Sequence, residues 1–480
     1  MFKIGDYFPP QKHEDRIKRY KSNKKLVQGF HYDVFERIHN RLSKTQRDII
    51  YISANLPGVI AKKSADFLFG ETPSYAAGRE GSPEQAAIER FVEDNDLNIT
   101  NYESALGNAY RGDAFYKVMW AQFWRGELPE EIDPFRVVIE AQNANYVFPE
   151  TLVGNDNLIM AYHIAVPQYI EGNEWILDVE SHYPGRIVNR VFRMNALQTT
   201  VDNEVVSWKI YAEIEVENGV IETGVPYPLV VHIPNFSYDD SWEGQDDLTE
   251  HISLFDELNN RLSQLAVILD KHADPAIAVP VGTIEEDEQG NPIFHVGRTK
   301  VFEVQDKNDI IPEYITWDGQ LDANFREIEK VIDLILTAAE MPPVSLGKDN
   351  SGTSGASGLS IKWRMSSLLS KINRKRQYYD KGLKTLLYIA QLLEHAQSDE
   401  KLDYIPTVPK ITFRDGLPDD ELEMANVMSI RTGGMPTISQ RKAIKILDNL
   451  TEEQVDDEVR RIREEQDTVD ASIYNMEGGG

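Results

Sequence analysis

The segment from Pro343 to Ser360, PVSLGKDNSGTSGASGLS, concentrates side chains that can form hydrogen bonds with a phosphate backbone. It contains four glycines, five serines and one threonine, and Lys348 adds a positive charge. Short polar side chains on a flexible backbone make contacts to phosphate that position a nucleic acid without reading its sequence. The alternative interpretation is a solvated linker that contacts nothing. A loop of this length between helices is uncommon unless it is functional or disordered.

Catalytic and nucleotide-binding motifs are missing from the sequence. Gly347-Lys348 is followed by Asp349, whereas a Walker A motif requires Ser or Thr at that place. The glycines of the loop do not follow a strand in a βαβ unit, which argues against a Rossmann fingerprint. No HExxH or GxSxG motif occurs, and no pair among the ten histidines has helical i, i+4 spacing. The sequence therefore predicts no catalytic residue and no cofactor.

One acidic stretch partly resembles a calcium-binding loop. In EEDEQGNPIFHV, from Glu285 to Val296, acidic residues precede Gly290. The twelfth position is Val296, where a calcium loop of this kind carries a bidentate Glu. A hairpin turn is therefore the preferred interpretation, and no metal site is predicted. The chain also contains no cysteine, which removes disulfides, thiolate zinc sites and cysteine nucleophiles.

The composition is that of an acidic globular protein. The 480 residues carry a formal net charge of −29, and 41 % of them are hydrophobic. A chain of this charge does not wrap DNA by neutralising phosphates, because that mode of binding requires clustered Lys and Arg. The negative net charge is consistent with a surface along which DNA moves without binding tightly. It is equally consistent with a charge that only keeps the protein soluble. No signal pattern and no run of ~18 apolar residues is present, which predicts a protein made in a cytoplasm and outside the membrane.

The N-terminal half predicts helices followed by a sheet. Residues 1–30 are polar and basic, as expected of a helix or an arm at the surface. The segment 44–69 predicts helices on both sides of Pro57, and 83–122 predicts two more, the first with Ser82 as its N-cap. Short runs rich in Val, Ile, Tyr and Trp across 115–235 predict a sheet domain with hairpins.

The C-terminal half predicts two helices around a small strand module. Apolar residues at helical spacing predict a helix over 246–271, with Asp246 and Asp247 at its start, where carboxylates suit the helix dipole. Strand-like runs cover 275–317, and a second helix over 320–340 is stopped by Pro342-Pro343. Helices flanking such a module should lie side by side with the module at their far end.

The longest predicted helix follows the glycine-rich loop. It runs from Leu359 to about Ala396, which corresponds to ~57 Å at 1.5 Å per residue. Gly382 in its middle is a place where the helix could bend. The run PTVPKITFRD then predicts a strand, and 419–470 predicts further helices that are strongly acidic.

This order of elements resembles the portal proteins of tailed bacteriophages, specifically the siphophage type. NLPGVIAKKSADFLFGETP (55–73) resembles the family's N-terminal helix that ends in a Phe-Gly turn. ALGNAYRGDAFYKVMW (105–120) resembles the step from a helix through a glycine into the wing sheet. GGMPTISQRKAIKILDNLTEEQVDDEVRRIREE (433–465) resembles the C-terminal run of a turn, a Ser-led helix and an acidic helix. The resemblance covers nearly the whole chain.

The resemblance implies an α+β fold with mixed α/β wing, stem helices, small clip and helical crown. It also implies a ring of about twelve subunits at one capsid vertex, with a central channel for DNA packaging and ejection. The implied parts are wing 1–245, stem helix 246–274, clip 275–319, second stem helix 320–341, tunnel loop 342–359, long wing helix with return strand 360–414, and crown 415–480.

The family resemblance also implies the partners. These are further copies of the chain, double-stranded DNA bound without sequence preference, the terminase large subunit, a head–tail adaptor, and capsid and scaffold proteins. The protein would be part of the virion, assembled in the host cytoplasm, without catalytic activity, cofactor, metal or membrane contact.

Candidate DNA-contacting residues follow from the same resemblance. The tunnel loop would present Lys348, Asn350, Ser351, Thr353, Ser354 and Ser357 to the channel. Further basic candidates for the lumen, each with a surface salt bridge as the alternative, are Lys271, Arg298, Lys300 and Lys330. Arg441, Lys442 and Lys445 lie on a helix that could imitate a DNA reader, but their acidic surroundings argue against that role. The basic N-terminal segment would contact neighbouring subunits, scaffold or capsid, or would be a solvated arm.

Two other classes of protein are the alternatives. A DNA-processing hydrolase of the phage head would need a clustered acidic metal site. Another multimeric structural protein, such as a scaffold or capsid component, would lack this order of two helices around a strand module, followed by a glycine-rich loop. It would also not form a ring with an open channel.

Overall fold

The computed structural model describes most of the chain, and its contacts divide the chain into two units. The first unit comprises Met1–Thr353 and Trp363–Gly416, and the second comprises Ser354–Lys362 and Leu417–Gly480. The described residues are 1–35, 51–79, 81–199, 205–273, 276–278, 285–286, 292–293, 313–315, 321–348, 358–398, 401–414, 421–433, 436–448 and 455–464.

Helices and strands alternate in blocks along the chain. The helices are α1 (Glu14–Gln28), α2 (Leu56–Phe69), α3 (Pro83–Asp94), α4 (Leu97–Arg111), α5 (Ile252–Ala273), α6 (Leu321–Ala338), α7 (Gly358–Arg364), α8 (Ser366–Gln397), α9 (Glu421–Thr432), α10 (Gln440–Asp448) and α11 (455–464). The strands are β1 (Tyr7–Phe8), β2 (Ser74–Ala76), β3 (Asp113–Ala121), β4 (Arg136–Gln142), β5 (Val147–Leu152), β6 (Asn155–Glu171), β7 (Glu174–Tyr183), β8 (Arg186–Thr199), β9 (Val205–Ile214), β10 (Val220–Glu222), β11 (Val230–Pro234), β12 (Ala276–Ala278), β13 (Glu285–Glu286), β14 (Pro292–Ile293), β15 (Glu313–Ile315) and β16 (Lys410–Thr412).

The predicted sheet domain is an antiparallel meander of seven strands. Its order is β1-β9-β8-β7-β6-β5, with β10 added to β8. Along β7 the buried residues Leu177, Val179 and Ser181 alternate with more exposed ones, as expected of a sheet with one face on a core. Leu177 lies opposite Phe192 of β8, and both rest in an apolar core with Phe148. The short runs rich in Val, Ile, Tyr and Trp therefore predicted this sheet correctly.

A smaller sheet, ordered β11-β3-β4, packs against α4 and the long helix α8. Gly382 of α8 faces Ile233 of β11 so closely that a Cβ at Gly382 would lie 2.4 Å from Ile233 Cγ1. Non-bonded carbon atoms do not come as close as 2.4 Å, so any side chain at position 382 would clash with Ile233. Glycine therefore allows the helix to lie this close to the sheet. The residue interpreted from the sequence as a place for a bend is thus a site of close packing in a helix that is continuous from Ser366 to Gln397.

Three other local expectations are corrected by the structure. The predicted single helix from 359 to 396 is interrupted at Met365, which separates α7 from α8. The helix around Pro57 begins only at Leu56, because residues 51–55 are not helical, while residues 44–50 of that prediction lie outside the described residues. The basic N-terminal segment is not a solvated arm, since Tyr20 of α1 is buried in the core.

Two helices lie side by side around the small strand module, as predicted. Phe255 and Leu258 of α5 and Ile335 of α6 are buried. Arg261 of α5 forms an ion pair of 3.0 Å with Glu327 of α6. Strand β12 follows α5 directly and pairs with β15, which precedes α6. The pairing of these strands joins the described ends of the module next to the C-terminal end of α5.

The second unit is helical in the part of the chain that the structure describes. Its α9 and α10 contact each other, and Arg441 of α10 forms an ion pair of 2.9 Å with Asp456 of α11. No described helix in either unit has both the length and the apolar composition of a membrane span.

Candidate channel segment

The described part of the predicted tunnel loop is an ordered turn after α6. Ser345 donates hydrogen bonds from both its backbone N–H and its hydroxyl to the Pro342 carbonyl, at 2.9 and 2.7 Å. Gly347 has a φ of 71°, which glycine adopts without steric cost, and its N–H donates to the Val344 carbonyl. The Lys348 N–H donates to the Pro343 carbonyl at 3.1 Å. The loop therefore leaves α6 from a fixed base.

The structure describes three of the ten candidate DNA-contacting residues. Lys348 is exposed at the end of the ordered turn, and Lys330 is exposed on α6. Lys330 lines a cleft of about 460 Å³ with Asp333 and Ser367. Lys271 lies in the last turn of α5. The other seven candidates lie outside the described residues: Arg298, Lys300, Asn350, Ser351, Thr353, Ser354 and Ser357.

A buried ionic cluster beneath this turn was not predicted from the sequence. Asp247, expected at the exposed start of a helix, is buried instead and forms ion pairs with Lys371 and Lys375 of α8. The side chains of Lys375 and Asp247 are only 2 % and 1 % exposed. Its neighbour Asp246 takes the capping role, because its carboxylate accepts hydrogen bonds from the N–H groups of Leu248 and Thr249, at 2.8 and 2.7 Å.

The cluster ties together four separate elements of the first unit. Ser64 of α2 donates to Asp247 Oδ2 at 2.8 Å, and Asn235, which follows β11, donates to Asp247 Oδ1 at 3.1 Å. Lys371 Nζ lies 3.4 Å from Asp247 Oδ1 and also donates to the Ala339 carbonyl at 3.1 Å. Since Ala339 directly follows α6, the cluster fixes the end of α6, three residues before the predicted tunnel loop, to α8.

The pKa shifts in the cluster have identifiable causes. Burial alone would raise the pKa of the Asp247 carboxyl, but the ammonium groups of Lys371 and Lys375 hold it well below its usual range. Burial lowers the pKa of Lys375 to about 8, although the Asp247 carboxylate opposes that shift. The fold thus favours the charged form of Asp247 and disfavours that of Lys375, but both pKa values leave the groups ionised at neutral pH.

The sequence held one signal for this cluster. Leu368, Ile372 and Tyr379 belong to the buried stripe of α8, and Lys375 falls on the same stripe because it is three residues after Ile372 and four before Tyr379. A lysine at such a position requires an acidic partner in the core. Nothing in the sequence indicates that the partner is Asp247, which lies 128 residues away along the chain.

Acid is expected to destabilise the protein below about pH 5. The folded-state pKa values of Asp247 and Asp113 are lowered, and that of Glu180 is lowered to about 2, where burial is outweighed by His182 and Lys117. Stability from such carboxylates is present above their unfolded pKa values and is lost as the pH falls toward the folded ones. Urea midpoints should therefore decline from about pH 5 to about pH 2. A midpoint that stays constant down to about pH 3 would contradict this expectation.

The described residues offer no support for a metal-dependent enzyme. Within them, no three His, Asp or Glu side chains converge on a point where a metal ion could bind. Of the stretch that partly resembles a calcium loop, the described residues pair as β13 and β14, which is the hairpin that the sequence favoured. Arg441 is the first of the three basic residues on α10 whose acidic surroundings argue against a role in reading DNA, and it forms an ion pair with Asp456.

The fold belongs to the α+β class, and in it two packed helices flank a small strand module and buried charges hold the adjoining elements. The sequence matches the family described as "Phage portal protein, SPP1 Gp6-like" over residues 8–471. The chain belongs to this phage portal protein family. Members of the family are structural components of the phage head, at the portal vertex of the virion.

Comparisons with individual proteins add two solved structures of low similarity. A chain of the "Virion of native gene transfer agent (GTA) particle" is 12 % identical, with a TM-score of 0.44, and the match covers 84 % of this chain and 92 % of that one. A chain of the "Neck of empty GTA particle computed with C6 symmetry" is 13 % identical, with a TM-score of 0.44, over 82 % and 89 % of the two chains. No curated protein matches the sequence.

Proposed function

We propose that the chain is the subunit of a portal ring, usually of about twelve copies, through whose central channel DNA is packaged and ejected. The family match over residues 8–471 is the observation that carries this proposal. The ring lies at one capsid vertex of the virion and is assembled in the host cytoplasm. It acts by holding and guiding DNA and catalyses no reaction.

In this proposal the parts of the chain have distinct places in the ring. The side-by-side helices α5 and α6 form the stem within 246–274 and 320–341, and the strand module within 275–319 forms the clip. The wing comprises 1–245 together with 360–414, and the crown is 415–480. The loop 342–359 lies at the channel and begins with the ordered turn of residues 342–348.

The electrostatics suit DNA that slides instead of binding tightly. The exposed ammonium group of Lys348 recurs once per subunit and gives a ring of positive charge that contacts phosphates of either strand. The other polar residues of the loop add hydrogen bonds without sequence preference. Lys271, Arg298, Lys300 and Lys330 are the further lumen candidates. The net charge of −29 limits additional attraction to the phosphates.

The partners of the ring are the terminase large subunit during packaging and a head–tail adaptor afterwards. Capsid and scaffold proteins contact the ring where it replaces a capsid vertex. Each of these contacts is a proposal that rests on membership of the portal family.

Negative-stain imaging and mass determination of the purified chain test the proposal. Rings of about a dozen subunits with an open centre are expected. In reconstituted packaging, Lys348→Glu should weaken DNA retention, whereas Lys384→Glu on α8, where the lysine is about one third exposed and paired with Asp380, should not. A protein that stays monomeric at high concentration and hydrolyses nucleic acid in a metal-dependent way would instead establish the enzyme alternative.

A further inference from the structure

The hairpin between β3 and β4 carries an exposed apolar tip. The strands end at the pair Ala121 and Arg136, and the residues 122–135 form the connection. Its large apolar side chains are between 37 % and 69 % exposed: Phe123, Trp124, Leu128, Ile132 and Phe135. A patch of this kind on a folded protein marks a surface that another molecule covers. We name residues 123–135 the aromatic tip.

The aromatic tip is held in one conformation by a buried carboxylate. The Asp133 carboxylate accepts a hydrogen bond from the Trp124 N–H at 2.8 Å. It also forms an ion pair of 2.7 Å with Arg136. Gln122 donates to the carbonyls of Leu128 and Asp133, at 3.2 and 2.8 Å. Because these bonds fix the loop before binding, the tip can dock with little loss of conformational entropy.

The polar residues of the aromatic tip are mostly acidic. Glu127, Glu130 and Glu131 are exposed, and none forms an ion pair with a described residue. The nearby Arg125 does not offset them, since it pairs with Glu140. A partner for this tip therefore needs apolar surface bordered by positive charge.

The chain itself contains a surface of that chemistry on α1. Residues 1–30 contain eight Lys and Arg against three Asp and Glu, although the whole chain has a net charge of −29. Lys18, Lys21 and Lys24 are exposed on α1, and no described carboxylate pairs with Lys21 or Lys24. Phe30, just beyond the helix, is 57 % exposed and supplies an apolar contact. We name this surface the basic face of α1.

The aromatic tip and the basic face lie at opposite ends of β3 in one subunit. The Tyr20 hydroxyl of α1 donates to the carboxylate of Asp113, the first residue of β3. The tip begins after Ala121, the last residue of the strand, which is ~26 Å away at 3.3 Å per residue. The tip is thus directed away from its own α1. Complementary surfaces at different places on one chain make a head-to-tail contact, which gives a ring when the rotation between neighbouring copies closes.

We propose that the aromatic tip of one subunit binds the basic face of α1 in the next copy of the chain. This inference rests on the proposed ring and specifies one contact between its subunits. The exposed rings pack against Phe30 and the aliphatic stems of the lysines, while Glu130 and Glu131 face the ammonium groups of Lys21 and Lys24.

Disulfide trapping tests the contact directly, because the chain has no cysteine of its own. In the variant Glu130→Cys with Lys21→Cys, oxidation should give a ladder of covalent oligomers, since each subunit is linked to the next. Glu130→Cys with Lys410→Cys, which places the second thiol on the exposed strand β16, is the matched control and should give no ladder. Equal ladders from both variants, or a ladder from neither, would overturn the inference.

Charge reversal provides a second, independent measurement. Glu130→Lys with Glu131→Lys should lower the ring fraction by about tenfold or more, since like charges then oppose each other. Adding Lys21→Glu and Lys24→Glu should restore the rings. Reversal of the exposed pair Glu215 and Glu217 in the same way should leave assembly unchanged. Circular dichroism of each variant confirms folding.

The outcomes separate this inference from the proposed function. If the wild-type chain forms rings and the tip variants do so equally well, the contact is wrong while the portal ring stands. If tip variants form rings but no longer attach to the capsid shell, the tip binds a shell protein and the inference is likewise overturned. Absence of wild-type rings, together with no ladder, would count against both.

Discussion

Replacing Lys375 by Met is expected to destabilise the first unit by about 3–5 kcal/mol, the cost of removing one partner from a buried ion pair. The Met side chain fills most of the space of the lysine but leaves the Asp247 carboxylate, which is only 1 % exposed, with less positive charge around it. Lys371 is the remaining cation, and it is divided between Asp247 and the Ala339 carbonyl. Urea unfolding of the full chain, followed by circular dichroism, measures the loss.

Lys384→Met is the matched control on the same helix. Lys384 pairs with Asp380 four residues earlier, and both side chains are about one third exposed. Its replacement should cost no more than about 1 kcal/mol, as is typical of exposed pairs. Similar losses for the two variants would show that the buried cluster has no special role in stability.

Gly244→Ala is the second change with a large expected effect, about 3 kcal/mol or more. A Cβ at Gly244 would lie 1.8 Å from the Gly112 carbonyl oxygen. That oxygen already accepts the Asn235 N–H at 2.7 Å, and the Gly244 N–H donates to Asp113 at 2.8 Å. Neither backbone can move without breaking one of these bonds, so thermal and urea unfolding should both show a marked loss.

Gly81→Ala separates this steric effect from the ordinary cost of replacing a glycine. Gly81 has a φ of 74° and nothing within 4 Å of an added Cβ. The substitution should therefore cost about 1–2 kcal/mol, the penalty of a left-handed conformation for an L-residue. If Gly244→Ala lowered the free energy of unfolding no more than Gly81→Ala does, the prediction would be wrong. The backbone segments at Gly112 and Gly244 would then be able to move apart despite their hydrogen bonds.

The sequence was most informative where one element is governed by its own periodicity. Runs rich in Val, Ile, Tyr and Trp over 115–235 predicted a sheet with hairpins, and Ser82 was identified as an N-cap, which its hydrogen bond from the Gln85 N–H confirms. Helical spacing of apolar residues predicted α5 and α6, although α6 ends at Ala338, before the predicted stop at Pro342-Pro343, and Glu340 has a left-handed φ of 58°. These features are local, so neighbouring residues suffice to specify them.

The candidate site was predictable in part. Lys348 and Lys330 were predicted as exposed candidates, and both are exposed. Their approach to DNA is a property of the ring and stays a prediction. The aromatic tip was missed because Phe123 and Trp124 continue a strand-like apolar run, and in a sequence such residues are indistinguishable from core residues.

By itself the sequence determined the α+β class, the order of the elements and the resemblance to portal proteins. Only the tertiary structure decided which charged side chains are buried and at which glycines two backbone segments lie in close contact. Asp247 and Lys375 are 128 residues apart, and Gly112 and Gly244 meet through two loops. A side chain's periodic position fixes which face of its element it occupies, but the free energy of a buried charge depends on what the fold brings opposite to it.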